Sequence, residues 1–121
     1  VVDDDPDAMR LVEKILEDED YELITVTNAT EVGLKAAQLV PDLIILDYLM
    51  PDINGFEVSK ALRSNELTKN IPIMAVTCLT KESDIEKIFE CGADEYLAKP
   101  YKVEQLQKKV RELIGRGSTV E

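Results

Sequence analysis

The chain has 121 residues, no histidine, two cysteines and a formal net charge of −11. One domain is the size expectation, and a chain of this length buries roughly two thirds of its unfolded surface, enough for a core without cross-links. The missing histidine excludes a Ser-His-Asp triad and a His-ligated metal. The acidic balance argues against nucleic acid as a direct partner, and two cysteines make no disulfide framework. With no apolar run long enough to span a bilayer, the expectation is a soluble cytoplasmic protein in a reducing compartment, without a membrane partner.

In chain order, "VVDDDP" opens with only two apolar residues before the acids, so it reads as the end of a strand that begins upstream. Asp5 is placed to cap a first helix with Pro6 at its first position. Met9, Val12, Ile15 and Leu16 recur there at helical spacing, to about Asp18. "YELITV", residues 21 to 26, reads as a short second strand. Asn28 can cap a second helix carrying Val32, Ala36, Leu39 and Val40, which stops before Pro41. "DLIIL" is an apolar third strand of the kind covered on both faces. A third helix follows Gly55 and carries Phe56, Ala61 and Leu62. "IPIMAV", residues 71 to 76, is a fourth strand. Helix four runs from about Lys81 to Cys91, with Ile85, Ile88 and Phe89 inward and Gly92 as its C′ residue. "EYLA" is a fifth strand, and Val103, Leu106, Val110, Leu113 and Ile114 pattern a last helix before the tail "GRGSTVE". Five alternations of strand and helix call for a parallel sheet with helices on both faces.

In such sheets ligands bind beyond the carboxyl ends of the strands, and the unusual polar residues gather there. Strand one ends in Asp3, Asp4 and Asp5, strand three in Asp47, strand four in Thr77 and strand five in Lys99-Pro100. Carboxylates on neighbouring strand ends could lie about 4–5 Å apart. At that distance a like-charge pair costs on the order of 4 kcal/mol at an effective dielectric near 20. Either one acid holds a proton or a cation sits among them, and with only oxygen donors to hand Mg²⁺ is the default ion. A lysine and a hydroxyl facing a metal-bound carboxylate form a receptor for a small oxyanion. Phosphoryl transfer needs that set, with Asp47 as nucleophile and an acyl phosphate as product.

"VVDDD", "LIILDYLMPDINGFE", "IPIMAVT" and "GADEYLAKP", in this order and spacing, resemble a response-regulator receiver domain of two-component signalling. The resemblance extends from residue 1 to about 114. It implies the flavodoxin-like strand order 2-1-3-4-5, a receiver domain over 1–116, and a frayed tail or the start of a linker over 117–121. It also implies roles by position. Asp47 matches the phosphoacceptor. Asp3 and Asp4 match the acidic pair, with Asp4 the direct Mg²⁺ ligand and Asp3 acting through water. Asp47 and the backbone carbonyl of Leu49 would complete the ligand set. Thr77 matches the hydroxyl residue, Lys99 the lysine paired with the phosphoryl group, and Tyr96 the aromatic switch residue. Lys99-Pro100 matches a bond that is often cis. The implied donor is a phosphohistidine on a histidine kinase or phosphotransfer protein, and the implied output face is helix 4–strand 5–helix 5.

Departures from the family pattern are Cys78, where a smaller residue is usual, and Asn54, a cap or turn exchange. The variable flanking positions, Leu49 and Leu79, are both apolar and are expected to hinder an attacking water. Plainer readings stand beside these. The acids can be a solvated helix cap, Thr77 a strand residue, Lys99 a surface lysine, Tyr96 a packing residue and Cys78 a small hydrophobe or a redox-sensing thiol. Residues 99 to 116 carry six Lys or Arg against two Glu, either complementing a helix terminus or forming a partner face. Other function classes are a phosphorylation-independent scaffold within the family, a Mg²⁺-dependent aspartyl-phosphate hydrolase and an FMN binder. The hydrolase would want an acid where Leu49 stands. The FMN binder would want a phosphate loop where three aspartates stand.

Overall fold

The computed structural model describes residues 1–19, 21–26, 29–50 and 53–118. Its sheet is centred on β4 (Ile73–Thr77), which pairs in parallel with β1 (Ile44–Leu46) on one side and β5 (Glu95–Ala98) on the other. All five residues of β4 are buried, because both faces of a parallel sheet are covered by its crossover helices. Ile73 and Ala75 pack with Ala36, Leu62 and Ile88, from α2 (Ala29–Leu39), α3 (Gly55–Ser64) and α4 (Glu82–Glu90). Met74 and Val76 point the other way, to Leu16, Leu106 and Val110 of α1 (Pro6–Leu16) and α5 (Val103–Ser118). Helices on both faces and a parallel sheet were readable from the alternation alone.

The first two expected strands are reduced, among the described residues, to single parallel bridges from Val2 to Val26 and from Val2 to Leu46. The bonds that do form fix the position: Val2 N–H donates to Ile45 at 2.7 Å, Val26 N–H to Val1 at 2.9 Å, and Asp47 N–H to Val2 at 3.0 Å. The sequence pattern did not anticipate a small antiparallel pair after Asp47, β2 (Leu49–Met50) with β3 (Ile53–Asn54).

Local signals set most helix ends. Asp5 accepts from Asp7 N–H at 3.0 Å to open α1, and Asn54 accepts from Phe56 N–H at 3.0 Å to open α3. Asn28, the expected cap of α2, lies outside the described residues. In α2, Val32 and Ala36 are buried but Leu39 is exposed, and Val40 beyond it is exposed with a positive φ of 44°. Phe89 is likewise exposed, against expectation, because Ile88 takes the sheet-facing line and the next residue is turned about 100° away. The Lys99–Pro100 bond is cis. α5 reaches Ser118, so the segment read as a tail begins as helix.

Arg63 was not singled out by any sequence signal. From α3 it donates to the carbonyls of Lys69, Ile71 and Gly92 and to Asp94 Oδ2, at 2.7–2.9 Å. One guanidinium thus pins both turns that feed β4 and β5. Gly92 follows α4 with φ +114°, and a Cβ there would lie 2.5 Å from Arg63 Cγ.

Gly33 shows the opposite situation. It lies within α2, and an added Cβ meets nothing within 4 Å. Gly33→Ala should therefore stabilise by about 0.5–1 kcal/mol, whereas Gly92→Ala should destabilise. Urea midpoints read both, and a Gly33→Ala midpoint at or below wild type would contradict the open helix face.

Candidate functional site

Three strand ends converge on one ammonium. Lys99, directly after β5, donates from Nζ to Asp3 Oδ2 at 2.7 Å and to Asp47 Oδ2 at 3.0 Å. Asp3 and Asp47 are only 5% and 6% exposed, so without a cation between them two carboxylates would be desolvated unpaired. Their remaining oxygens are also held. Asp3 Oδ1 accepts from Asp5 N–H at 3.0 Å, and Asp47 Oδ1 from Leu49 N–H at 2.9 Å. Burial by itself would lower the Lys99 pKa, but the bonds to Asp3 and Asp47 and their charges outweigh it and hold the amine above the ordinary lysine value.

Asp4 stands exposed beside this trio. Partial desolvation, then the negative charge of Asp3 and that of Asp47, push its carboxyl above the ordinary value, partly offset by its own backbone hydrogen bond. The third acid thus lies within the electrostatic reach of the other two, as the strand-end pattern implied.

Thr77 ends β4, fully buried; its Oγ1 accepts from Leu79 N–H at 3.4 Å and its carbonyl accepts from Lys99 N–H at 2.9 Å. Tyr96 on β5 donates its hydroxyl to the Leu79 carbonyl. Both residues expected to act together therefore meet at Leu79, in the connection leading to α4. Leu49 is exposed and pairs with Asn54 across the β2–β3 ladder. Cys78, read as a small hydrophobe, is exposed.

Gly55 carries a requirement that its turn-like sequence only hinted at. A Cβ there would stand 2.5 Å from Tyr48 Cα and 2.9 Å from the Asp47 carbonyl oxygen. Only glycine lets the first residue of α3 press against the backbone that presents Asp47. A hollow of about 330 Å³, lined by residues such as Val2, Ile24, Leu43 and Ile44, lies at the opposite edge of the sheet and includes none of the site residues.

Among the described residues no three acid or thiol side chains close into a cage for a metal ion. The donor set nonetheless fits Mg²⁺, which takes one or two carboxylates and keeps waters for its other positions. The space between Asp3 and Asp47 already suits a cation, since an ammonium is bound to both. Asp3, Asp4 and Asp47 are the residues that could hold the ion.

Residues 1–111 match the family model of the response regulator receiver domain. The chain belongs to that family. The DNA-binding dual master transcriptional regulator RpaA of Synechocystis is 39% identical over 116 residues, which is 96% of this chain and 48% of that protein. The chain spans about half the length of several curated relatives it matches. Among solved structures, Vibrio cholerae chemotaxis protein CheY4 superposes with a TM-score of 0.85 at 33% identity, covering 93% of each chain. The receiver domain of the sensor histidine kinase PA1611 from Pseudomonas aeruginosa, described with a magnesium ion coordinated in its active-site cleft, gives 0.85 at 28% identity, covering 94% and 93%. The receiver fold, flavodoxin-like with a parallel sheet and helices, is therefore that of this chain, and receiver domains are signalling switches rather than metabolic enzymes. Among the described residues no helix is long and apolar enough to cross a membrane.

Removing the ammonium while keeping an apolar stem, as in Lys99→Met, leaves Asp3 and Asp47 buried without a counter-charge. The expected loss is about 3 kcal/mol, the scale of breaking a buried pair from one side. Denaturant unfolding without divalent ions reads it, and a midpoint equal to wild type would mean the carboxylates do not depend on Lys99.

Proposed function

We propose that this receiver domain accepts a phosphoryl group on Asp47 from a phosphohistidine of a histidine kinase or phosphotransfer protein, with Mg²⁺ as cofactor. The observation that carries the reading is the Lys99 ammonium shared by Asp47 and Asp3. In the step, an Asp47 carboxylate oxygen forms a bond to phosphorus as the donor's P–N bond breaks. The departing imidazole takes up a proton, and an acyl phosphate remains. Mg²⁺ held by Asp3, Asp4, Asp47 and the Leu49 carbonyl would supply charge neutralisation for the incoming oxygens. Lys99 can then move from the free carboxylate to a phosphoryl oxygen. These 121 residues contain no histidine, so this domain cannot supply the donor group itself.

The same reading assigns the sheet the order 2-1-3-4-5, with the Val2 bridges as the traces of its first two strands. Thr77 turning toward the phosphoryl group would release Leu79, and Tyr96 follows through its bond to the Leu79 carbonyl. The output is then a shift of pre-existing populations on the α4–β5–α5 face. Part of the positive charge near α5 is already used internally, since Lys109 pairs with Glu95 at 3.2 Å and Arg111 with Glu19 at 3.0 Å. Lys108 is exposed and remains the better probe of a partner there.

Incubation with Mg²⁺ and acetyl phosphate should add about 80 Da, one phosphoryl group, to wild type and none to Asp47→Ala. Labelling of Asp47→Ala would reject Asp47 as the acceptor, and failure of wild type to label or to bind beryllofluoride would favour the scaffold. Leu79 is partly buried beside Thr77, and Leu49 is exposed over Asp47. Their apolar side chains should slow attack by water, so Leu79→Glu is expected to release phosphate faster than wild type. Equal release rates would remove that role.

A further inference from the structure

Tyr48 follows Asp47 directly, yet its side chain takes no part in the site. It is buried, and its hydroxyl donates to Ser59 Oγ at 2.9 Å. The hydroxyl of Ser59, a fully buried residue of α3, donates in turn to the Cys91 carbonyl at 2.8 Å. Cys91 is the C-cap of α4, and its N–H closes that helix on the Lys87 carbonyl. A second connection runs in parallel. The Tyr48 ring meets Phe56 edge-on at 5.2 Å, and Lys87 from the last turn of α4 holds its ammonium 4.4 Å above the Phe56 ring. Burial, only partly offset by the Ser59 bond, pushes the Tyr48 phenol up to about 12, so it stays a donor across the working range.

We propose that Tyr48 and Ser59 form a transmission element that ties the backbone presenting Asp47 to the carboxyl end of α4. This rests on Asp47 being the phosphoacceptor and adds a second route to the output face. Thr77, Leu79 and Tyr96 act on the connection that enters α4, whereas Tyr48 and Ser59 act on its exit at Cys91–Gly92. The relay is stiff because Gly55 is pressed on Tyr48 Cα and Asp47 O, leaving α3 no slack to absorb a shift of residue 48. A displacement at Asp47 is then passed through two short hydroxyl bonds to the Cys91 carbonyl.

The test follows the Gly92 amide by NMR before and after acetyl phosphate labelling, with intact mass read on the same samples. Tyr48→Phe removes one oxygen and keeps the ring; Ser59→Ala removes the middle hydroxyl. Expected is a labelling-dependent Gly92 shift in wild type that is lost in both variants while their labelling persists. A Tyr96→Phe control, labelled in the same way, separates the routes, since its Gly92 response should survive. A Gly92 amide that does not respond in wild type, or responds equally in Tyr48→Phe, overturns the relay and leaves the phosphoacceptor reading intact. Wild type that takes no label overturns both, and the mass distinguishes that case.

Discussion

The Lys99 ammonium between Asp3 and Asp47 is the contact on which the rest of the arrangement depends. It joins residues 96 and 52 positions apart in sequence, and it does so where both acids are nearly sealed from water. Unpaired, each buried carboxylate would face a desolvation cost that its one backbone hydrogen bond offsets only in part. The sheet exists in part to bring these three side chains together. β4 is the shared neighbour of β1 and β5, so the ends of all three strands leave at one edge, and Val2 places Asp3 beside Asp47 through two backbone bonds.

Packing then ties that edge to the elements around it. Asp47 and Leu49 form a tight turn closed by a side-chain bond, and Gly55 lets α3 lie directly against it. On the other side, the Thr77 and Tyr96 hydroxyls both engage Leu79. α4 therefore sits between two sets of hydroxyl contacts, one at its entry and one at its exit. It is also among the less completely buried helices, with Ile88 as its fully buried residue and Phe89 exposed. A helix held by few apolar contacts and several directional bonds is one whose position a local charge change can bias.

Legibility in the sequence followed the range of the interaction. Helix caps at Asp5 and Asn54, the C′ role of Gly92 and the fifth strand at 95–98 came from neighbours a few residues away, and they appear as read. The site acids and Lys99 were legible because a charged residue ending an apolar strand is locally anomalous. What was misread depended on the surroundings. Phe89 is apolar and helical yet exposed because Ile88, one residue before it, takes the sheet-facing line. Leu39 is exposed although it stands on the same helical line as the buried Val32 and Ala36. Arg63, Tyr48 and Ser59 carry no local signature at all, since their partners lie 6–32 residues away.

The sequence by itself determined the roster: an α/β alternation, three acids, a hydroxyl and a lysine at successive strand ends, and the family these spell. Each of these is written in consecutive residues, by period, by turn chemistry or by a charge out of place. Tertiary structure alone decided the pairing. It chose Asp3 over Asp4 as the acid that shares Lys99 with Asp47, left Asp4 at the rim, and threaded Tyr48 through Ser59 to the end of α4. Burial and distance are set by which distant segments pack together, and no local pattern encodes them.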